Sequence, residues 1–350
     1  MPNRSHQRRV LHIHFGKEGG AERFFVSLCQ SLVAVGVEQR FLIRPRRSWR
    51  NDLAVLGKVR EVNYPRLFPF RQLLQRWVDQ QVRTWQPDAV IAWMPKAATL
   101  LPGSDAPARL VRLGDFPRHV DHFQRADCII GNTPGVRDRL DALSWDRPVE
   151  IISNFPRDNE ADPDRVSFDL PPGHFVLCAA GRFVGLKGFD SLVRAMAMVD
   201  NTALCLVGDG EKRSELEELA AELGVAHRLQ ITGWVDRPMD WLAKSDLICV
   251  TSTHEVLGNV VLEAWQCRVP VVSTPTPGPR WLIEDGMTGV MLSDFEPETL
   301  AEGIKRVMTS AGLRETLVRH GAEKLASSFS KGQITRRYLE VIDRFGAGYG

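Results

Sequence analysis

The chain has 350 residues, of which 43% are hydrophobic and 25% charged, with a formal net charge of +2. That length is about twice the common single-domain size, so two domains or one large α/β unit is expected, and the balanced composition excludes disorder, collagen-like repeats and coiled coil as the main architecture. No run of about 18 apolar residues could span a bilayer. The opening stretch is basic, and its apolar run is broken by His12 and His14, unlike a secretory signal, so a cytoplasmic protein is expected.

The charge is unevenly distributed. Residues 1–165 hold 26 basic and 19 acidic side chains, and residues 166–350 hold 19 and 24. A basic half can face nucleic acid, an anionic membrane or a phosphorylated substrate. The six cysteines include no C-x-x-C pair that would point to zinc or redox chemistry, and Cys178, Cys205 and Cys249 sit in apolar strand-like runs that predict buried, reduced thiols.

In chain order, RVLHIHF reads as a strand, GGAERFFVSLCQSLVAVG as an amphipathic helix and EQRFLIRP as a second strand, with the alternation continuing through DAVIAWM, ARLVRLGD, DCIIGNT and VEIISNF. Strands separated by helices signal βαβ units and a parallel sheet. A polar Asp- and Pro-rich stretch, residues 156–173, reads as a linker. Alternation then restarts, with HFVLCAAG, TALCLVG, RLQITG, DLICVTS and VPVVST as strands. The fold expected is α/β, two Rossmann-like doubly wound parallel sheets with ligands in the crevice. KGQITRRYLEVIDRF closes the chain as an amphipathic helix able to pack back on the first domain.

Two stretches carry chemistry. GRFVGLKG, after a strand and before a helix, places Arg182 and Lys187 at the carboxyl edge of a sheet, where a planar fork and a compact cation together suit a diphosphate. The alternative is two solvated loop charges. THEVLGNVVLEAWQ leads from a strand into a helix beginning near Gly258 or Asn259, whose free N–H groups suit an anion. Glu255 stands in the loop and Glu263 about one turn inside the helix, a pair suited to the hydroxyls of a polyhydroxylated ligand. Surface acids explain most such pairs, but Glu263 within VVLEAW resists that account.

These residues, namely E-x7-E at Glu255 and Glu263, R-x4-K at Arg182 and Lys187, GGAER from Gly19 to Arg23, VGDG from Val207 to Gly210, and Asn154 in IISNF, together resemble the retaining GT-B glycosyltransferases of the large family 4. The resemblance implies an acceptor-binding domain over 1–160, a nucleotide-sugar-binding domain over 161–330 and a C-terminal helix over 331–350. Within it, Arg182 and Lys187 would neutralise the departing nucleotide diphosphate, Glu263 would hold the ribose and Glu255 the donor sugar. Backbone N–H groups of Leu257, Gly258, Asn259 and Val260 would add to the phosphate cradle, with Gly19 and Gly20 approaching from the first domain, and Gly233, Trp234 and Val235 would line the base. The donor implied is a UDP- or GDP-sugar, transferred with retention through an oxocarbenium-like transition state, and no metal or other cofactor is required.

One departure from the family pattern falls on the acceptor side. Many members carry a His where this chain has VRLGDFPRH, so Asp115, or His119 from the following loop, is the candidate there. The D-x-D pair Asp162 and Asp164 follows no strand and reads as linker composition rather than a metal site. RPRRSWR (Arg44 to Arg50) and YPRLFPFRQLLQRW (Tyr64 to Trp77) combine Arg with aromatics, which suits an anionic membrane surface, and no RNA-binding signature accompanies them. The expected acceptor is therefore lipid-linked or a surface glycan, as in lipopolysaccharide core synthesis, at the inner face of the cytoplasmic membrane. A sugar-nucleotide epimerase of the same fold and a non-catalytic binding protein are the competing readings.

Overall fold

The structure is a computed structural model that describes residues 7–17, 19–64, 68–103, 107–156 and 161–346, without the side chains of Phe68 and Pro69. It divides into two compact units, residues 1–155 with 331–350, and residues 156–330. The division falls a few residues ahead of the boundary read from composition, and residues 157–160 at that boundary lie outside the described ones.

Unit 1 is built on seven parallel strands: β1 (Arg9–His14), β2 (Glu38–Ile43), β3 (Gly57–Glu61), β4 (Ala89–Trp93), β5 (Ala108–Leu113), β6 (Cys128–Gly131) and β7 (Val149–Ile151), in the order β3-β2-β1-β4-β5-β6-β7. Its helices are α1 (Gly20–Ala34), α2 (Arg50–Ala54), α3 (Phe68–Trp85), α4 (Met94–Ala98) and α5 (Pro134–Ala142). Strand β3, GKVRE, was not expected. It is a half-exposed edge strand without an apolar run, so periodicity had nothing to register.

Unit 2 has six parallel strands: β8 (Phe175–Ala180), β9 (Thr202–Val207), β10 (Leu229–Ile231), β11 (Leu247–Val250), β12 (Val271–Ser273) and the two-residue β13 (Val290–Met291), in the order β10-β9-β8-β11-β12-β13. Between and after them run α6 (Phe189–Ala197), α7 (Arg213–Glu222), α8 (Pro238–Lys244), α9 (Asn259–Cys267), α10 (Pro277–Leu282), α11 (Pro297–Met308) and α12 (Ala311–Lys324). The last helix, α13 (Lys331–Gly346), belongs to unit 1. In each sheet the strand order reverses beside the first strand, between β1 and β4 and between β8 and β11, and open α/β folds bind ligands at the carboxyl ends of strands flanking such a reversal.

Covered on both faces by helices, the central strands are buried and apolar, and their thiols behave as small hydrophobes. Cys29, Cys128, Cys178, Cys205 and Cys249 are buried and free, and burial pushes the Cys29 and Cys249 thiols up, which leaves them unreactive. Helix α13 lays Ile334, Tyr338, Val341 and Ile342, one face at helical spacing, into the core formed by Phe24, Leu28 and Ile130. Arg8 fastens the same helix with a two-pronged pair to Asp343 at 2.7 and 2.8 Å. The segment read as a linker is docked on unit 2: Asp162 N–H donates to Asp240 Oδ1 at 2.8 Å, and Phe168 packs against Trp241 with ring centroids 5.8 Å apart. Asp162 also pairs with Arg165 at 2.8 Å, so the D-x-D carboxylate is engaged locally.

Two histidines are fully buried on β1. His12 Nδ1 accepts the Trp93 Nε1–H at 3.3 Å, so its Nε2–H donates to Gln39 Oε1 at 2.9 Å. His14 Nδ1 accepts the Gly16 N–H at 3.0 Å. Burial holds both down to about 3, below the ordinary 6.5, so the unfolded chain takes up protons that the folded chain refuses as pH falls below 6.5. Stability is therefore complete above that pH and declines beneath it by up to about 1.4 kcal/mol per pH unit for each ring. Urea midpoints that stay level between pH 7 and pH 5 would contradict this assignment.

Candidate functional site

In unit 2 the sequence-predicted residues gather on the loops after β8 and β11, the two strands flanking the reversal of strand order. The loop after β8 carries Arg182 and Lys187 and ends at Gly188, whose φ of 61° lies in the left-handed region and which caps α6. A Cβ on Gly188 would stand 2.3 Å from the Thr251 carbonyl oxygen, so only glycine lets the two loops touch. Around that contact the loops are stitched: Thr251 Oγ1 donates to Lys187 O at 2.8 Å, and the Thr253 N–H donates to Leu186 O at 2.9 Å.

The stitching sets Lys187 Nζ 2.7 Å from Glu255 Oε2. Ser252 Oγ donates to the same oxygen at 3.1 Å. The Lys187 and Glu255 side chains remain 26% and 21% exposed, so each can be reached from solvent. Arg182 is exposed, and among the described residues its guanidinium has no hydrogen-bond or ion-pair partner. An ammonium, a second cation free to turn and a carboxylate thus meet at one sheet edge.

From Glu255 the chain runs into α9, which starts at Asn259 with Gly258 as its cap at φ 83°. The segment is pressed against α10: the Gly278 N–H donates to Glu255 O at 3.1 Å, and a Cβ on Gly278 would fall 2.4 Å from the Leu257 carbonyl carbon. This fixes the loop from which α9 starts at Asn259. Glu263, one turn further along α9, is buried, and its charge helps burial push the neighbouring Cys267 thiol up to about 12.

Motif VGDG supports the cation loop from beneath. A Cβ on Gly208 would lie 2.0 Å from Gly181 O and one on Gly210 2.5 Å from Phe183 O, while the Phe183 N–H donates to Asp209 O at 2.9 Å. Gly208 also bridges to Gly233, which brings the loop after β10 to the same edge. There Trp234 is 61% exposed, an indole face open for stacking, whereas Val235 is partly buried against the core. A depression of about 390 Å³ between α6 and α7 is lined by Phe183 and Val184 but by none of the predicted site residues.

The remaining candidates belong to unit 1. Gly19 and Gly20, exposed, are the cap and first residue of α1 after β1. Asp115, after β5, is exposed, and its Oδ1 accepts the Phe116 N–H at 2.7 Å. His119 is half-exposed and points to Asp121 at 3.6 Å. Sequence reasoning missed Ser252 and Thr251, which looked like the polar end of a strand, and Arg112. Arg112 is buried at the end of β5, where it donates to Tyr338 Oη at 3.2 Å and to Asn154 Oδ1 at 2.5 Å. A charged residue alternating with apolar ones in ARLVRL was the only signal for it.

Comparison with known proteins agrees with this architecture. The family model for glycosyl transferases group 1 matches residues 160–324. The lipopolysaccharide core biosynthesis glycosyltransferase LpsE of Rhizobium meliloti (strain 1021) is 41% identical over 335 residues, covering 95% of this chain and 98% of that protein. Among solved structures, a glycosyltransferase from Rickettsia africae ESF-5 superposes with a TM-score of 0.86 at 17% identity, over 98% of this chain and 100% of that one. Anabaena HepE in complex with UDP and glucose gives 0.78 at 19% identity, over 96% and 100%.

The loop crossing makes a contrast that can be measured. Gly188→Ala puts a methyl group into the Thr251 carbonyl at a left-handed backbone angle and should cost about 1–3 kcal/mol of stability. Gly185→Ala, three residues earlier, meets nothing within 4 Å and should melt like the parent chain. Equal melting temperatures for both variants would remove the crossing as a constraint.

Proposed function

The chain belongs to the group 1 glycosyltransferases, and from that premise we propose that it moves a hexose-type sugar, with retention of anomeric configuration, from a UDP- or GDP-sugar to a lipid-linked or glycan acceptor in lipopolysaccharide core assembly. The observation that carries the reading is the Lys187–Glu255 pair at 2.7 Å beside the free Arg182 and the start of α9. Charge builds on the diphosphate as the glycosidic bond breaks, and fixed cations and helix N–H groups stabilise it most where water is excluded. Lys187 would exchange Glu255 for the incoming phosphate, and the released carboxylate, still held by Ser252, would accept a hydroxyl of the sugar. Glu263 would take the ribose and Trp234 the base. Nothing in this scheme calls for a metal.

The acceptor side of the proposal rests on the relative's role in lipopolysaccharide core biosynthesis and on α3. That helix exposes Phe70 (57%) and Leu73 (58%) next to the exposed Arg71 and Arg76, an apolar tip ringed by cations that suits the inner surface of an anionic membrane. Three other aromatics of the basic stretches are engaged within the unit instead. Trp49 is buried with its Nε1–H on Lys17 O at 3.1 Å, Tyr64 Oη lies 3.0 Å from Thr99 Oγ1, and Trp77 lies under Arg60 at 4.7 Å. Residues 65–67 of the second stretch lie outside the described residues. No described helix is long and apolar enough to cross a membrane.

Two experiments test the reading. Glu255→Gln should lower transfer at least about a hundredfold, the scale of a lost transition-state contact, while binding UDP or GDP no more weakly than the parent, because Lys187 is no longer engaged. Lys187→Ala should lose both binding and transfer. Transfer at the parent rate in Glu255→Gln would overturn the site, and epimerised donor without acceptor would replace transfer with epimerisation. In liposome co-sedimentation the chain should prefer anionic to neutral vesicles and lose that preference in Phe70→Ser/Leu73→Ser. Equal sedimentation with both vesicle types would remove the membrane from the proposal.

A further inference from the structure

Glu22, in the first turn of α1, is left unused by the scheme above, yet it is only 5% exposed. Carboxylates that far from water are normally engaged. A Cβ on Gly16 would stand 2.0 Å from Glu22 Oε1, and one on Gly19 would stand 3.1 Å from Oε2. The carboxylate therefore lies directly against the backbone at both ends of the turn after β1 and fills the volume that side chains there would need. Its place as the third residue of α1 is also the position from which an acid reaches back to the start of its own helix.

His14 supplies a second hold on the same turn. Its Nδ1 accepts the Gly16 N–H at 3.0 Å, and a Cβ on Gly16 would come 2.4 Å from His14 Cε1. The imidazole cannot turn away, because Phe25, Trp49 and Trp93 surround it at ring-centroid distances of 4.7, 5.4 and 5.7 Å. Trp49 closes the remaining side by donating its Nε1–H to Lys17 O at 3.1 Å. Gly16, His14 and Glu22 are buried, whereas Lys17, Gly19 and Gly20 face solvent, and Glu18 lies outside the described residues. Among its described residues the turn is thus gripped from within and exposed on its outer side.

We propose that Glu22 and His14 are positioning residues which hold the turn after β1 in one shape, so that Gly19 and Gly20 offer their backbone to the donor. Gly16 is then glycine because of Glu22 and His14 beneath it, Gly19 is crowded by Glu22 as well, and the outer side of Gly19 and Gly20 is left to the ligand. This rests on the glycosyltransferase reading, in which those two glycines approach the diphosphate. Neither buried residue touches substrate, so both act on rate through geometry, where displacements of about 1 Å can cost a hundredfold.

Hydrogen exchange reads the turn without any substrate. In Glu22→Ala the Gly16 amide should exchange at least tenfold faster than in the parent chain, while Glu22→Gln, which keeps the shape and the acceptor oxygen, should restore protection. In kinetics, Glu22→Ala should lower kcat/KM for the nucleotide sugar about tenfold or more, chiefly in kcat, and leave the affinity for bare nucleoside diphosphate within about twofold, with Glu22→Gln recovering most of the loss. Unchanged Gly16 exchange, unchanged kcat/KM, or equal damage from Ala and Gln with a matching fall in melting temperature would each overturn the assignment. A parent chain that neither binds nucleotide nor transfers sugar would instead sink the functional reading, and the exchange measurement would still decide the grip on the turn.

Discussion

The unit 2 site depends on one steric constraint, the passage of Gly188 across the carbonyl of Thr251. Lys187 and Glu255 are 68 residues apart in the chain, and they meet because β8 and β11 are neighbours in the sheet and their loops can touch where no side chain intervenes. Two hydrogen bonds lock that contact, so the ion pair is a consequence of backbone packing rather than its cause. An ion pair between partly exposed side chains contributes little to stability, whereas a misplaced loop backbone costs more. The loops therefore do not need the pair to hold their positions, which is the condition that the proposed exchange of Glu255 for a phosphate requires.

Unit 1 organises its reversal of strand order with neutral groups. Trp93, Gln39 and His12 form a chain of hydrogen bonds inside the sheet, and the Gln39 amide continues it to Cys29 O at 2.8 Å. Every link fixes the next one's tautomer or orientation, which is how a buried polar group escapes the cost of being unpaired. Phe25 and Trp93, which border His12, also border His14, and through His14 the order of the aromatic core reaches Gly16 in the turn after β1. Packing in the core and geometry at the sheet edge are therefore one property of this unit.

How much of this the sequence disclosed follows from what each signal encodes. Long apolar runs such as RVLHIHF and FVLCAAG are strands because a doubly covered sheet admits nothing else, and the α9 start at Asn259 was legible from the glycine before a periodic run. The edge strands β3 and β13 were not, since an edge needs neither burial nor length. Arg182, Lys187 and Glu255 were legible as residues, but their 2.7 Å meeting was not, because pairing across a sheet is a tertiary fact. The aromatic and basic stretches are less legible: Trp49 and Tyr64 look interfacial in sequence, yet Trp49 bonds Lys17 O and Tyr64 packs its ring on Phe15. Glycines divide in the same way, Gly16 and Gly188 vacating space for another part of the chain while a Cβ on Gly185 would meet nothing, a difference that only the neighbouring atoms reveal.

Arg112 shows why the C-terminal helix is counted with unit 1. A guanidinium this deeply buried loses several kcal/mol of hydration, and among the described residues no carboxylate pairs with it. The loss is offset by its bonds to Asn154, Tyr338 and its own neighbour's carbonyl, and by the faces of Phe24 and Trp93 at 5.3 and 5.9 Å. Burial pushes the Tyr338 phenol up while Arg112 pulls it back, as expected for a hydroxyl accepting from a cation. Asn154 stands just before the chain leaves unit 1 and Tyr338 just after it returns, so a single side chain ties both passages to β5. That strand runs directly into Gly114 and Asp115, and the Asn132 amide, donating to Gly114 O at 3.3 Å, fixes the start of that loop. The loop that carries Asp115 is thus braced by residues from near the two places where the chain crosses between units.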